Sequence, residues 1–314
     1  MQTSSRSSSL RRVLVFMVVA VALLATFPVR GADKRIVLIA GRPSHPPGMH
    51  EFRAGCLLMQ KALSGFPGVK VDVYDMGWPA KEVDGKRVDD SALLEGADAV
   101  LIFSDGRNGH PAFQNERTAV MDALEAKGVG LGFAHYAVDV AAGAPGETMQ
   151  RWNGGFYENL YSVNPMWKPE FTSFPNHPIT RGVKPFSTND EWYFNMRWPE
   201  KFPAKAKMTP LLVAKPSDEV RKGRYVSPPG PFEHIIAASG RDEIMMWAYE
   251  RPNGGRSFGF TGGHTHTNWG DPNQRKIMLN ALLWIAKVEV PNNGVEDKIV
   301  EAELAQNLDE KRRK

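Results

Sequence analysis

The residues best suited to chemistry fall in a few short stretches. Ser44-His45-Pro46-Pro47-Gly48-Met49-His50-Glu51-Phe52 sets two imidazoles and a carboxylate close together, a grouping that can bind a divalent metal or exchange protons with a substrate. Thr261-Gly262-Gly263-His264-Thr265-His266-Thr267-Asn268-Trp269 carries two histidines on a glycine loop, spaced so that both can reach one ion or one sugar. His135 stands alone where the apolar run Val129-Gly130-Leu131-Gly132-Phe133-Ala134 stops. Asp190-Glu191-Trp192-Tyr193, downstream of Asn176-His177-Pro178-Ile179-Thr180, offers paired acids for general acid/base work or metal ligation. Each stretch also has a plain structural reading. These are a helix start at His50-Glu51, a buried histidine bonded to backbone at His135, a capping loop before Pro272 and a solvated loop at Asp190-Glu191. His110 and His234 sit in polar loops without clustered partners.

The elements that must position these groups are legible as period and punctuation. Strands are predicted over 35–40, 69–74, 98–103 and 128–134, with helices over 50–63 and 116–127 between them. The run ending at Ala134 has no polar interruption, as expected of a parallel strand covered on both faces. Strands alternating with helices predict an α/β fold with a doubly wound, mainly parallel sheet, in which ligands collect outside the carboxyl ends of the strands. Every histidine-bearing stretch singled out at 45–50, 135 and 264–266 follows a predicted strand. Residues 143–239 are dense in prolines and aromatics and read as long aromatic-rich insertions that wall a site, with a strand returning over 209–214. Strands over 243–249 and 256–260 flank Asn253-Gly254-Gly255 as a hairpin, and a closing helix spans 272–285.

Composition narrows the function classes. Arg11 and Arg12 precede an apolar run over 13–25, too short for a membrane span but suited to a signal peptide, so residues 1–31 are expected to direct export to the periplasm or the medium. If uncleaved, this leader would be the only membrane anchor. The leader holds four basic residues and no acid, which leaves 35 of the 39 Lys+Arg against 35 Asp+Glu. That balance gives no argument for nucleic acid. Cys56, the single cysteine, excludes an intrachain disulfide, and its apolar neighbours suggest a buried thiol. No Walker-type lysine follows a glycine loop, so no nucleotide cofactor is expected. A charged tail is expected over 291–314, as a loose helix or without structure.

Taken together, Ser-His-x-x-Gly-x-His-Glu-Phe after the first strand, Gly-x-x-His at 132–135, Asn-x-His-Pro-Ile-Thr, Asp-Glu-x-Tyr and a late Gly-His resemble the ThuA-like (trehalose-utilisation) family over residues 35–286. The resemblance implies a flavodoxin-like sheet of the class I glutamine amidotransferase type without the catalytic cysteine, which agrees with His135 at the strand-to-helix elbow. It also implies a role in sugar catabolism on glycosides or their 3-keto derivatives. Pro46 departs from the family's usual Gly, and His266 is an additional histidine.

The resulting expectation is an exported carbohydrate-catabolism enzyme with a sugar or glycoside substrate, of lyase or hydrolase type. His50, His135 and His264 are the candidate ligands of one divalent metal ion, and Glu51, Glu191, His45 and His266 the candidate acid/base groups. The rival is a non-catalytic sugar-binding module with Trp152, Trp167, Trp192 and Trp269 lining a stacking groove. A glutamine amidotransferase or cysteine peptidase is excluded because Cys56 lies off the elbow. The sequence leaves open a homo-oligomer.

Overall fold

A computed structural model describes residues 33–311, so the expected leader lies outside the described residues. Among these residues no helix is long and apolar enough to cross a membrane. The chain runs β1 (Lys34–Ala40), α1 (Phe52–Ala62), β2 (Val69–Tyr74), β3 (Ala80–Val83), β4 (Lys86–Asp89), β5 (Ala99–Phe103), α2 (Arg117–Ala126), β6 (Gly130–Ala134) and α3 (Ala144–Asn153). It continues through β7 (Met166–Trp167), β8 (Asp190–Glu191), β9 (Lys207–Ala214), α4 (Asp218–Lys222), α5 (Glu233–Ile236), β10 (Glu243–Glu250), β11 (Arg256–Phe260) and α6 (Pro272–Ile285).

Seven strands form one sheet in the order β2-β1-β5-β6-β11-β10-β9. The first five in that order are parallel, and β10 is antiparallel to both β11 and β9. This is the α/β, mainly parallel arrangement expected. Successive residues of β1 and β5 feed opposite faces, as strand geometry requires. Ile36, Leu38, Leu101 and Phe103 join α1 and α6 in one core cluster, whereas Val37, Ile39, Val100 and Ile102 join Met121, Leu124, Met149 and Trp152 in the other. Both faces of the sheet are therefore dry, which is why these strands read as unbroken apolar runs. α1 buries Phe52, Ala54, Cys56, Leu58 and Met59, so the lone thiol is a core residue. α6 starts at Asp271, whose carboxylate accepts from the Asn273 and Gln274 amides ahead of Pro272.

Three features differ from the sequence expectation. Residues 80–89 form a projecting hairpin, β3–β4, with an almost wholly exposed surface. α3 lies at the head of the region read as irregular; Pro145 at its first turn and a left-handed Gly154 (φ 79°) at its end are the boundary signals that the aromatic density obscured. Trp152, Trp167, Trp192 and Trp269 are core residues, at most 6 % exposed, and cannot line a groove. Their apolar area is worth more inside: Trp167 and Trp192 enter the core with the insertion between α3 and β9, Trp152 from α3 and Trp269 from the turn ahead of α6. Beyond α6 the chain turns at Pro291–Gly294, makes a 3-10 turn at Glu301–Ala305 and comes back to Glu51, which Asp309 and Lys311 contact.

β6 passes under the end of α6 with no room to spare. A Cβ at Gly130 would sit 2.2 Å from the Ile285 carbonyl oxygen. Gly130→Ala is expected to lower stability by roughly 1–3 kcal/mol through forced backbone movement. An unchanged urea midpoint would show that α6 shifts freely.

Candidate functional site

The carboxyl ends of β1, β5, β6 and β11 converge on one buried cluster. Phe260 of β11 pairs with Ala134 of β6, so the next residues, Thr261 and His135, remain neighbours beyond the ladder. His135 turns sharply there (φ 53°) into a short 3-10 helix, and its Nδ1 lies 2.9 Å from the Thr261 carbonyl. A carbonyl only accepts, so His135 donates from Nδ1 and its Nε2 lone pair faces inward. His50, also left-handed (φ 50°), places Nδ1 3.0 Å from Asp105 Oδ1. It donates outward to that carboxylate and likewise directs its Nε2 lone pair inward. The two Nε2 atoms are 3.0 Å apart.

His264 and Glu191 close the cluster. His264 Nδ1 lies 2.9 Å from His50 Nε2 and 2.8 Å from Glu191 Oε2. Glu191 Oε2 is 3.6 Å from His135 Nε2, and its other oxygen accepts from Asn164 Nδ2 at 2.7 Å. The Tyr193 hydroxyl, 3.2 Å from His135 Nε2, can donate to that lone pair. The acidic pair divides its work. Glu191 enters the cluster, while Asp190 accepts from the Gly263 and Thr265 amides at 2.8 and 2.9 Å and so holds the His264 loop. That loop is also zipped to the His50 loop, because the His50 amide donates to the His264 carbonyl and the His266 amide to the Gly48 carbonyl, each at 2.9 Å.

The donor atoms of His50, His135, Glu191 and His264 all lie within 4.8 Å of one another, in a group that could hold a metal ion. Neighbouring separations of 2.9–3.0 Å suit nitrogens each about 2.1 Å from a common ion. Outward N–H groups fixed by a carboxylate and a backbone carbonyl are the usual support of metal-bound histidines. Burial lowers the basicity of His50 and His135 and raises the Glu191 carboxyl, with His264 opposing the latter. Every one of these shifts disfavours charge, the penalty that a bound cation would reverse.

The remaining expected residues lie around this cluster. His45 (φ 63°) is at its mouth, its ring centroid 3.6 Å from that of His50 and its side chain 38 % exposed. Glu51 faces away, accepting from the Gly48 and Asp309 amides at 2.8 Å each and from Lys311 Nζ at 3.1 Å. His266 is buried beside a cavity of about 730 Å³ bordered by Leu304 and Leu308. His110 caps a turn, with Nδ1 accepting from the Ala112 amide and Nε2 donating to the Ala137 carbonyl. Sequence reasoning missed Asp105 and Tyr193, although Tyr193 closes the Asp190-Glu191-Trp192-Tyr193 stretch and Asp105 lies two residues past the strand predicted over 98–103. Lys311 gave no signal.

Fold and site thus define a doubly wound α/β protein with a three-histidine, one-glutamate cluster at the carboxyl edge of its sheet. The profile of the ThuA family, described as trehalose utilisation, matches residues 74–285, and the chain belongs to that family. Its place is therefore in carbohydrate metabolism. Among solved structures it is similar to a ThuA-like protein from Bacteroides uniformis, with 15 % identity, a TM-score of 0.55, and 81 % of this chain and 92 % of that one covered. A ThuA-like protein from Parabacteroides merdae matches at 16 % identity and a TM-score of 0.54, covering 82 % and 92 %. At such identities the likeness shows the fold alone. No curated protein matches the chain in sequence.

Two consequences can be measured. Lys311→Met strands the buried Glu51 carboxylate and is expected to cost roughly 3–5 kcal/mol, most of it recovered when Glu51→Gln is added. Equal stability of the single and double variants would refute the pairing. Burial also holds His110 down to about 4, against 6.5 in its unperturbed state. The unfolded chain therefore binds the proton first. The contribution, roughly 3 kcal/mol, is complete above pH 6.5 and lost as pH falls towards 4. His110→Gln should flatten that part of the stability–pH curve.

Proposed function

We propose that this chain is an exported enzyme of carbohydrate breakdown that acts on glycosides or 3-keto-glycosides with the help of one divalent metal ion. The observation that carries the reading is the direction of the lone pairs. His50 and His135 commit their ring N–H groups outward, to Asp105 and to the Thr261 carbonyl, and so present two Lewis-basic nitrogens to each other beside Glu191 and His264. Three imidazoles and a carboxylate gathered with lone pairs facing one another fit a metal. Export rests on the leader over residues 1–31, with its basic start and apolar core.

His50, His135 and His264 would hold the ion, with Glu191 as fourth ligand or as base. When bound, such an ion supplies polarisation of a carbonyl or hydroxyl oxygen. His45, at the mouth and hydrogen-bonded to Ser44 Oγ at 3.0 Å, is placed to take a proton from substrate and return it to a leaving group. On a 3-keto-glycoside the base removes the C2 proton, the C–H pair forms the C1–C2 double bond, and the C1–O bond breaks with its electrons on the departing alcohol. That alcohol then takes up a proton. The burial of the four tryptophans takes away the stacking groove of the rival binding module and so supports the enzyme reading.

The test is elemental analysis of protein beginning at residue 32 and purified without a histidine tag. Near-stoichiometric metal is expected, absent from His135→Ala and from His264→Ala. Asp105→Asn should weaken metal affinity about 10- to 100-fold by releasing His50. Turnover of a panel of glycosides and 3-keto-glycosides should stop with chelator. A folded protein that takes up no zinc, manganese, iron or nickel and gains nothing from them would overturn the metal reading.

A further inference from the structure

Next to the histidine cluster, beyond the carboxyl ends of β1, β2 and β5, lies a cavity of about 480 Å³. Its wall carries Arg42, Arg87, Asp89, Asp105, Gln114 and Arg117. We propose that this cavity is a saccharide subsite, in which the hydroxyls of a neutral mono- or disaccharide unit are held so that the bond to be broken faces the histidines. The proposal rests on the carbohydrate reading above and adds where, and through which residues, the sugar binds.

Three observations support it. First, the heads of Arg87 and Arg117 are already fixed. Arg87 donates to the Asp75 and Trp78 carbonyls at 2.8 and 2.7 Å. Arg117 donates to Asp89 Oδ2 through Nε at 3.0 Å and through Nη2, and to Gln114 Oε1 at 3.2 Å, and its guanidinium lies 5.6 Å from the Trp78 ring centroid. Rigid donors and acceptors lose little freedom on binding, and guanidinium, carboxylate and amide groups together match the mixed donor–acceptor character of ring hydroxyls. Second, the charges discriminate. Asp89 and Asp105 balance two of the three arginines, which leaves Arg42 at the exposed rim as the single cation in excess and weakens the case for a phosphate. The β3–β4 hairpin contributes Arg87 and Asp89 although nearly all its residues are exposed, so it acts as a wall of this cavity and adds little to the core.

The third observation is Asp105 itself. Its Oδ1 accepts from Ser44 Oγ at 2.9 Å and from His50 Nδ1 at 3.0 Å. Oδ2 has no partner among the described residues and lies on the side of Gly109, another residue of the cavity wall. One oxygen therefore orients a histidine of the cluster, and the other is free for a sugar hydroxyl. A sugar bound in the cavity would touch the side chain that sets the direction of the His50 lone pair.

The experiment is a calorimetric or saturation-transfer titration of the mature protein with trehalose, maltose and methyl α-D-glucoside, alongside glucose 6-phosphate and inorganic phosphate. At least one neutral sugar is expected to bind at millimolar concentrations. Arg42→Ala and Gln114→Ala should each weaken it about tenfold, the loss of one or two hydrogen bonds, with metal content unchanged. Sugar binding that both variants retain in full would place the sugar elsewhere and overturn the subsite while the carbohydrate reading survives. Metal-loaded protein that turns over 3-keto-glycosides with KM unaltered in both variants would do the same. Failure of every neutral sugar to bind, or a preference for the phosphates, would also overturn it. Loss of the metal reading would show separately, in the elemental analysis.

Discussion

The site depends on two hydrogen bonds that point away from it. His135 Nδ1 to the Thr261 carbonyl, and His50 Nδ1 to Asp105, fix which ring nitrogen of each histidine carries its proton. Rotating either ring or swapping its tautomer would turn an inward base into an inward donor. The backbone sustains this arrangement at a cost. His45, His50 and His135 all occupy the left-handed region, where side chains with a Cβ are disfavoured by about 1–3 kcal/mol each. Such strain persists because the sheet beneath is dry on both faces and the β6–β11 register leaves residues 135 and 261 nowhere else to go.

Much of this is legible in the sequence. Apolar runs bounded by glycine and proline located the strands of the sheet and the closing helix, because two-sided burial leaves little freedom in residue type. The elbow was legible for the same reason, since the run from Val129 stops at a histidine. Convergence of His50, His135 and His264 followed from the topology, as each is carried just beyond a strand's carboxyl end. What stayed hidden was set by long-range packing. Glu51 adjoins His50 in sequence, yet the left-handed turn at His50 (φ 50°) ahead of α1 sends the two side chains apart, and Glu51 faces the tail instead. Its partner Lys311 is far away in sequence and sits in a stretch whose charge reads as solvated. The tryptophans suggested stacking surfaces, but hydrophobic area settles inside wherever an insertion can fold back.

Asp105 is the most instructive omission. Ser104-Asp105-Gly106 reads as an ordinary turn, and nothing local separates a turn aspartate from one that supports a histidine. Only the register of β5 between β1 and β6 puts it opposite His50 and beside the hairpin that walls the neighbouring cavity. Asp190 and Glu191 show the same lesson at closer range. Consecutive residues on a two-residue ribbon point to opposite sides, so one holds a loop and the other joins the cluster.

The cluster is gathered from distant parts of the chain, His50 and His264 being 214 residues apart and joined both through their imidazoles and through the His50 amide on the His264 carbonyl. During synthesis the ribosome completes β1, β5 and β6, with His50, Asp105 and His135 beyond their ends, long before it reaches residue 264. Until then the nascent chain has His50, His135 and Glu191 but lacks the fourth member of the cluster, with the edge of β6 still waiting for β11. Assembly of the cluster therefore belongs to the end of folding, and a translation product arrested before the last strand would carry its early histidines without their last partner.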